Sequence, residues 1–109
     1  MATTTIDIEQ MRTSLGSRKV LSRVSGFSER SLAAWEGGKP LGSSSATKMR
    51  ELQRLTDALR TVLGEEAIAE WLDAPNQAFD NLKPIEVIER GEVDRIWRMI
   101  FFLESGVPS

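Results

Sequence analysis

The stretch ATKMRELQRLTDALRTVL, residues 46–63, repeats apolar side chains at Ala46, Met49, Leu52, Leu55, Leu59 and Leu63. Steps of three and four residues place these on one side of an α-helix. Arg50 and Arg54 then share a face off that stripe. Such a helix is roughly 27 Å long, and its apolar side has to be covered by the remainder of the chain. The remainder reads almost entirely as shorter helices, so the expected fold class is all-α.

Cap residues and glycines divide these shorter pieces. Thr3 to Thr5 cap a first helix that carries Ile8, Met11 and Leu15 on one face and ends at Gly16. Ser17 caps a second, with Val20, Leu21 and Val24 as its stripe, until Gly26. Ser28 caps a third, with Phe27 packing toward Leu32 as a hydrophobic staple. That helix stops at Gly37-Gly38, and residues 39–45 read as a loop. Past Gly64, Glu65 and Glu66 suit the positive end of a further helix that turns Ile68, Trp71 and Leu72 inward.

Residues 73–81 form a turn-rich connector, and Pro84 opens a short helix that buries Ile85 with Val87 or Ile88 and ends at Gly91. The last helix, 92–105, aligns Val93, Ile96, Trp97, Ile100 and Phe101. Met99, Phe102 and Leu103 widen that stripe beyond one side. The excess implies a second burial surface, supplied by another copy or by a partner. Core packing is the plainer reading of Trp71, Trp97 and Phe101, since large apolar groups at helical spacing are commonly interior.

A chain of 109 residues makes one small domain or two tightly packed halves. It has no cysteine, histidine or tyrosine, which removes thiolate chemistry, the common zinc sites and imidazole bases. Glu86, Glu89, Glu92 and Asp94 lack the close spacing of a calcium loop and read as a solvated face. We therefore expect no enzyme, no metal and no cofactor. No stretch approaches the roughly 20 apolar residues of a membrane span, and the first ten residues lack the features of a signal peptide, which makes the cytoplasm the expected location. The net charge of −2 hides a division: ten basic and six acidic residues up to position 62, four basic and ten acidic after it. The basic half is the candidate for phosphate contact, unless the unevenness is only that of a solvated surface.

Leu21, Gly26, Phe27, Ser28, Leu32, Trp35-Glu36, Gly38 and Lys39 stand where the lambda-repressor-like (Xre) helix-turn-helix has its structural marks. Residues 18–40 resemble that family, and the Trp-Glu-x-Gly ending is their most specific feature. The resemblance implies that Arg18 and Lys19 approach phosphate, that Ser28, Glu29, Arg30 and Ser31 enter the major groove, and that Lys39 adds backbone affinity. Arg30 is the base-reading candidate, because a guanidinium bonds both acceptors of guanine. Arg18 departs from the glutamine common there, Glu29 repels phosphate, and Ala33 and Ala34 offer only methyl groups, so readout by one copy is shallow.

Residues 71–106 carry Trp71-Leu72, Pro75-Asn76, Phe79, Leu82, Pro84, Gly91, Val93 and Gly106. This pattern resembles the toxin-binding domain of the Xre/ParS/MbcA antitoxins, which follows an Xre-like helix-turn-helix in the same order. Asn81 departs from it, a glycine being common at that corner. The resemblance implies a lambda-repressor-like DNA-binding part, residues 1–63, followed by a small helical toxin-binding and dimerisation part, residues 64–109. It implies a RES-domain toxin as partner, an enzyme that consumes NAD. The last helix and tail, Trp97, Ile100, Phe101, Glu104, Gly106, Val107, Pro108 and Ser109, would cover the toxin's NAD cleft. It further implies repression of the chain's own operon through operator DNA, a homodimer, and a larger toxin–antitoxin assembly. Two alternatives stay open: a regulator without a toxin that uses its second half only to dimerise, and an interaction module that no longer reads DNA.

Overall fold

The computed structural model describes residues 5–105 and is all-α, with no strand among those residues. Helix α1 (Ile8–Leu15) begins later than threonine capping predicts: Asp7 is the cap, its carboxylate accepting from the Gln10 N–H at 2.9 Å. Gln53 explains the difference. Its side-chain oxygen accepts the Asp7 N–H and its amide nitrogen donates to the Thr5 carbonyl, which holds this segment outside the helix. Thr3 and Thr4 lie outside the described residues.

Helices α2 (Arg18–Ser25) and α3 (Glu29–Glu36) have the expected caps, Ser17 and Ser28. Gly26 turns the chain between them with φ +79°, and the Ser22 hydroxyl donates to the Phe27 carbonyl at 2.7 Å. Leu32 is fully buried, while the Phe27 ring meets Trp35 edge-on with centroids 4.9 Å apart. The turn is thus pinned by a hydroxyl at one end and an aromatic pair at the other.

Helix α4 (Ser43–Leu63) starts three residues before the apolar stripe does. Its serines look like loop by composition, but at a helix start the unpaired N–H groups face water and tolerate polar residues. Met49, Leu52, Leu55 and Leu59 are buried where α4 meets α1, α2, α5 and α7. Helix α5 (Glu65–Leu72) packs on α4 and on α1, where Gly16 comes so near that an added Cβ would lie 3.0 Å from that of Ala69.

The connector closes on itself. A 3₁₀ turn (Gln77–Phe79) is capped by Asn76, and Asn76 and Leu82 pair through an isolated antiparallel bridge. Asp80 and Asn81 take the left-handed backbone, φ 58° and 68°, so Asn81 occupies a conformation that glycine adopts without strain. Phe79 is buried, edge-on to the half-buried Trp71 and beneath the Arg95 guanidinium.

Helix α6 (Pro84–Glu89) buries Ile85 and Val87 rather than Ile88 and packs on α2, α5 and α7. Helix α7 (Val93–Ser105) lies against α4 and α6 through Ile96 and Ile100. All these buried residues form one core that draws on both parts of the chain.

Candidate partner and nucleic-acid surfaces

At the α2–α3 pair, helix capping decides which side chains are available. The Ser28 hydroxyl accepts the Ser31 N–H and donates to the Ser31 hydroxyl, both at 3.1 Å. Ser28 therefore holds the start of α3, and Ser31 is half-buried beside it. Lys19, Glu29, Arg30 and Lys39 are exposed, while Ala33 and Ala34 are half-buried. Of these, Lys19, Arg30 and Lys39 have no acidic partner among the described residues.

Arg18 is less free than its position suggests. The Glu36 carboxylate takes a two-point hydrogen bond from Arg12, at 3.0 and 2.9 Å, and a longer one from Arg18, at 3.4 Å. The Arg12 guanidinium holds the Glu36 carboxyl below its ordinary value, against a smaller opposing push from desolvation. Spacing alone does not reveal this cluster, because its members come from three helices.

The end of α7 is built differently. Ile100 is completely buried, which makes it part of the chain's own core and not of the surface offered outward. Trp97 is half-buried. Past it the helix runs clear of the body: Phe101, Phe102 and Leu103 are 73%, 51% and 49% exposed, and Glu104 is exposed too. Three consecutive helical residues point about 100° apart. The tip therefore carries apolar groups around most of its circumference, beyond what single scattered residues present. Phe102 and Leu103 belong to this surface although the resemblance does not assign them; the width of the apolar stripe is the signal for them. Gly106, Val107, Pro108 and Ser109 lie outside the described residues.

A groove of about 580 Å³ runs between α2, α4 and the α6–α7 turn, floored by Val24, Leu52, Leu55, Ile88, Val93 and Trp97. Arg23 and Glu89 form part of its wall through two hydrogen bonds of 2.8 and 2.7 Å. Lys48 sits on the rim with its ammonium 5.4 Å from the Phe27 ring centre. These residues are scattered from 23 to 97, so nothing local in the sequence announces the groove. Among the described residues, no group of three or more acidic side chains is placed to hold a metal ion, and no helix is long and apolar enough to cross a membrane.

Three similarities bear on this arrangement. Residues 58–96, from the last turns of α4 into α7, match the antitoxin Xre/MbcA/ParS C-terminal toxin-binding domain. The mycobacterial cidal antitoxins MbcA of Mycobacterium bovis and Mycobacterium tuberculosis are 30% identical to the chain over 81 residues, 73% of this chain and 72% of theirs. A chain of the crystal structure of the M. tuberculosis MbcT–MbcA toxin–antitoxin complex has the same fold, with a TM-score of 0.75 and 25% identity, covering 94% of this chain and 95% of that one.

Proposed function

The chain belongs to the Xre/MbcA/ParS antitoxin family, and we propose that it neutralises its toxin by lodging the tip of α7 and the residues after it in the toxin's active-site cleft. The observation that carries this reading is the exposure of Phe101, Phe102 and Leu103 around the helix. A flat helix–helix contact covers one side of such a tip and leaves the others wet. Insertion into a cleft covers all of them, with Phe101 and Phe102 as aromatic anchors of the kind that dominate binding energy. The partner is a RES-domain enzyme that consumes NAD. The second half's acidic excess, ten acidic against four basic residues, complements a basic nucleotide cleft.

The α2–α3 pair gives the same chain a second contact, with the operator of its own operon. Arg30 is exposed near the start of α3 and Lys19 near the start of α2, and neither has an acidic partner among the described residues. One copy reads few bases, so two copies bound to paired half-sites supply the specificity. On this reading residues 1–63 serve DNA and residues 64–109 serve the toxin and the dimer.

The test is NAD consumption by the enzyme that co-purifies with the chain in its native host. Wild-type chain added back to the stripped enzyme should suppress turnover, and a chain ending at Ile100, which lacks the exposed apolar tip, should not. Full suppression by the shortened chain, or recovery of the chain without any enzyme, would remove the proposal's main clause. A salt-sensitive mobility shift with the upstream promoter tests the DNA clause separately.

A further inference from the structure

Arg12, Arg18 and Glu36 bring two permanent positive charges to one carboxylate, leaving a surplus of one. The sharing is unequal. Arg12 uses two nitrogens on the two oxygens of Glu36 in a parallel fork, the strongest form of this contact. Arg18 reaches the same Oε1 with one nitrogen at 3.4 Å, and its covered Nε–H has no partner. Arg18 is also the first residue of α2, where the helix dipole disfavours a cation and favours an anion. It is 38% exposed, against 20% for Glu36. The arrangement is a loosely held guanidinium facing water beside a carboxylate already satisfied by another.

We infer that Arg12 is a positioning residue for nucleic-acid contact: by saturating Glu36 it leaves Arg18 free to exchange its 3.4 Å bond for a DNA phosphate. This rests on the reading of α2–α3 as a DNA-contacting pair and adds to it the control of one contact. Without Arg12, Glu36 would take Arg18 as its sole partner and withdraw that charge from the backbone. On this inference Arg12 acts only through Glu36 and adds no phosphate bond of its own.

The experiment measures the salt dependence of binding to a labelled random-sequence DNA duplex, by anisotropy, for wild type, Arg18→Ala, Arg12→Gln and the double variant. Each phosphate neutralised contributes about 0.9 to the slope of log affinity on log salt. Arg18→Ala should lower the slope by that amount, so that wild-type affinity falls about 3.5-fold more than the variant's between 50 and 200 mM salt. Arg12→Gln should lower it equally, and the double variant no further. A slope unchanged by Arg12→Gln, or twice the loss in the double variant, overturns the inference while leaving the DNA reading intact. No salt-sensitive binding by wild type overturns both. If Arg12→Gln does not fold, Arg12→Lys replaces it: one ammonium occupies one Glu36 oxygen, and an intermediate slope is expected. A wild-type slope with Arg12→Lys would again overturn the inference.

Discussion

Arg23 and Glu89 stand 66 positions apart in the chain and meet through two hydrogen bonds of 2.8 and 2.7 Å, joining the last turn of α2 to the last residue of α6. The Arg23 hydrogen bonds hold the Glu89 carboxyl below its ordinary value, as Arg12 does for Glu36. A carboxyl with a lowered folded-state pKa adds stability that is present above its unfolded value, 4.5 here, and is lost as the pH falls through the folded one. Melting temperature should therefore drop steeply below about pH 4.5. Glu36→Gln and Glu89→Gln should each flatten that acid limb. Glu89 is 36% exposed, so its removal at pH 7 is worth only about 0–1 kcal/mol. Melts from pH 7 to pH 3 check this, and an unchanged acid limb in both variants would refute it.

Neighbours Ile100 and Phe101 should separate folding from recognition. Ile100→Ala opens a cavity in the core and should cost about 2–5 kcal/mol. Phe101→Ala removes a side chain that is 73% exposed and should leave stability within about 0.5 kcal/mol. The same change should weaken toxin binding by about 2 kcal/mol or more, some thirtyfold. Denaturant titration and calorimetric titration with the toxin measure the two quantities. Loss of stability in Phe101→Ala without loss of binding would contradict the assignment.

Asn81 holds φ +68° at an exposed corner. Asn81→Val should cost about 1–2 kcal/mol, because a β-branched side chain fits this backbone badly. Asn81→Gly should lie within about 1 kcal/mol of wild type, since relief of strain and the greater freedom of the unfolded chain oppose each other. Equal effects from the two would show that the corner does not depend on this backbone state.

Gly16 combines φ +107° with the close approach of Ala69. Gly16→Ala should cost more than about 1 kcal/mol. Ala69→Gly should return only part of that, because it removes the contact at 3.0 Å and leaves the backbone strain. Complete rescue would show that space alone matters.

The helices and most of their ends were legible in the sequence because each is marked by its own neighbours. Ser17 and Ser28 cap through contacts three residues away, and Gly26 and Gly64 stop helices within one turn. The start of α1 was not, because what holds residues 5–7 outside the helix is Gln53, 46 positions from Asp7. Serines 43–45 read as loop and are the first turn of α4, because the side chains that favour a turn are also at home at a helix start. At the candidate surfaces, the apolar width of α7 was readable, but Ile100 and Phe101 look alike until their neighbours are known. The cluster of Arg12, Arg18 and Glu36 and the groove beside Trp97 depend on how three or more helices meet, which no local pattern records.

The single core has a consequence for how such chains diverge. With α5 resting on α1 and α6 on α2, a cut near residue 63 runs through packed side chains and not through a tether. An ancestor that traded its second half with a cousin would inherit mismatched halves of one interior. The outer end of α7, where Phe101, Phe102 and Leu103 are exposed, can instead vary without disturbing that interior, and under the proposed docking it is the part free to change with the toxin.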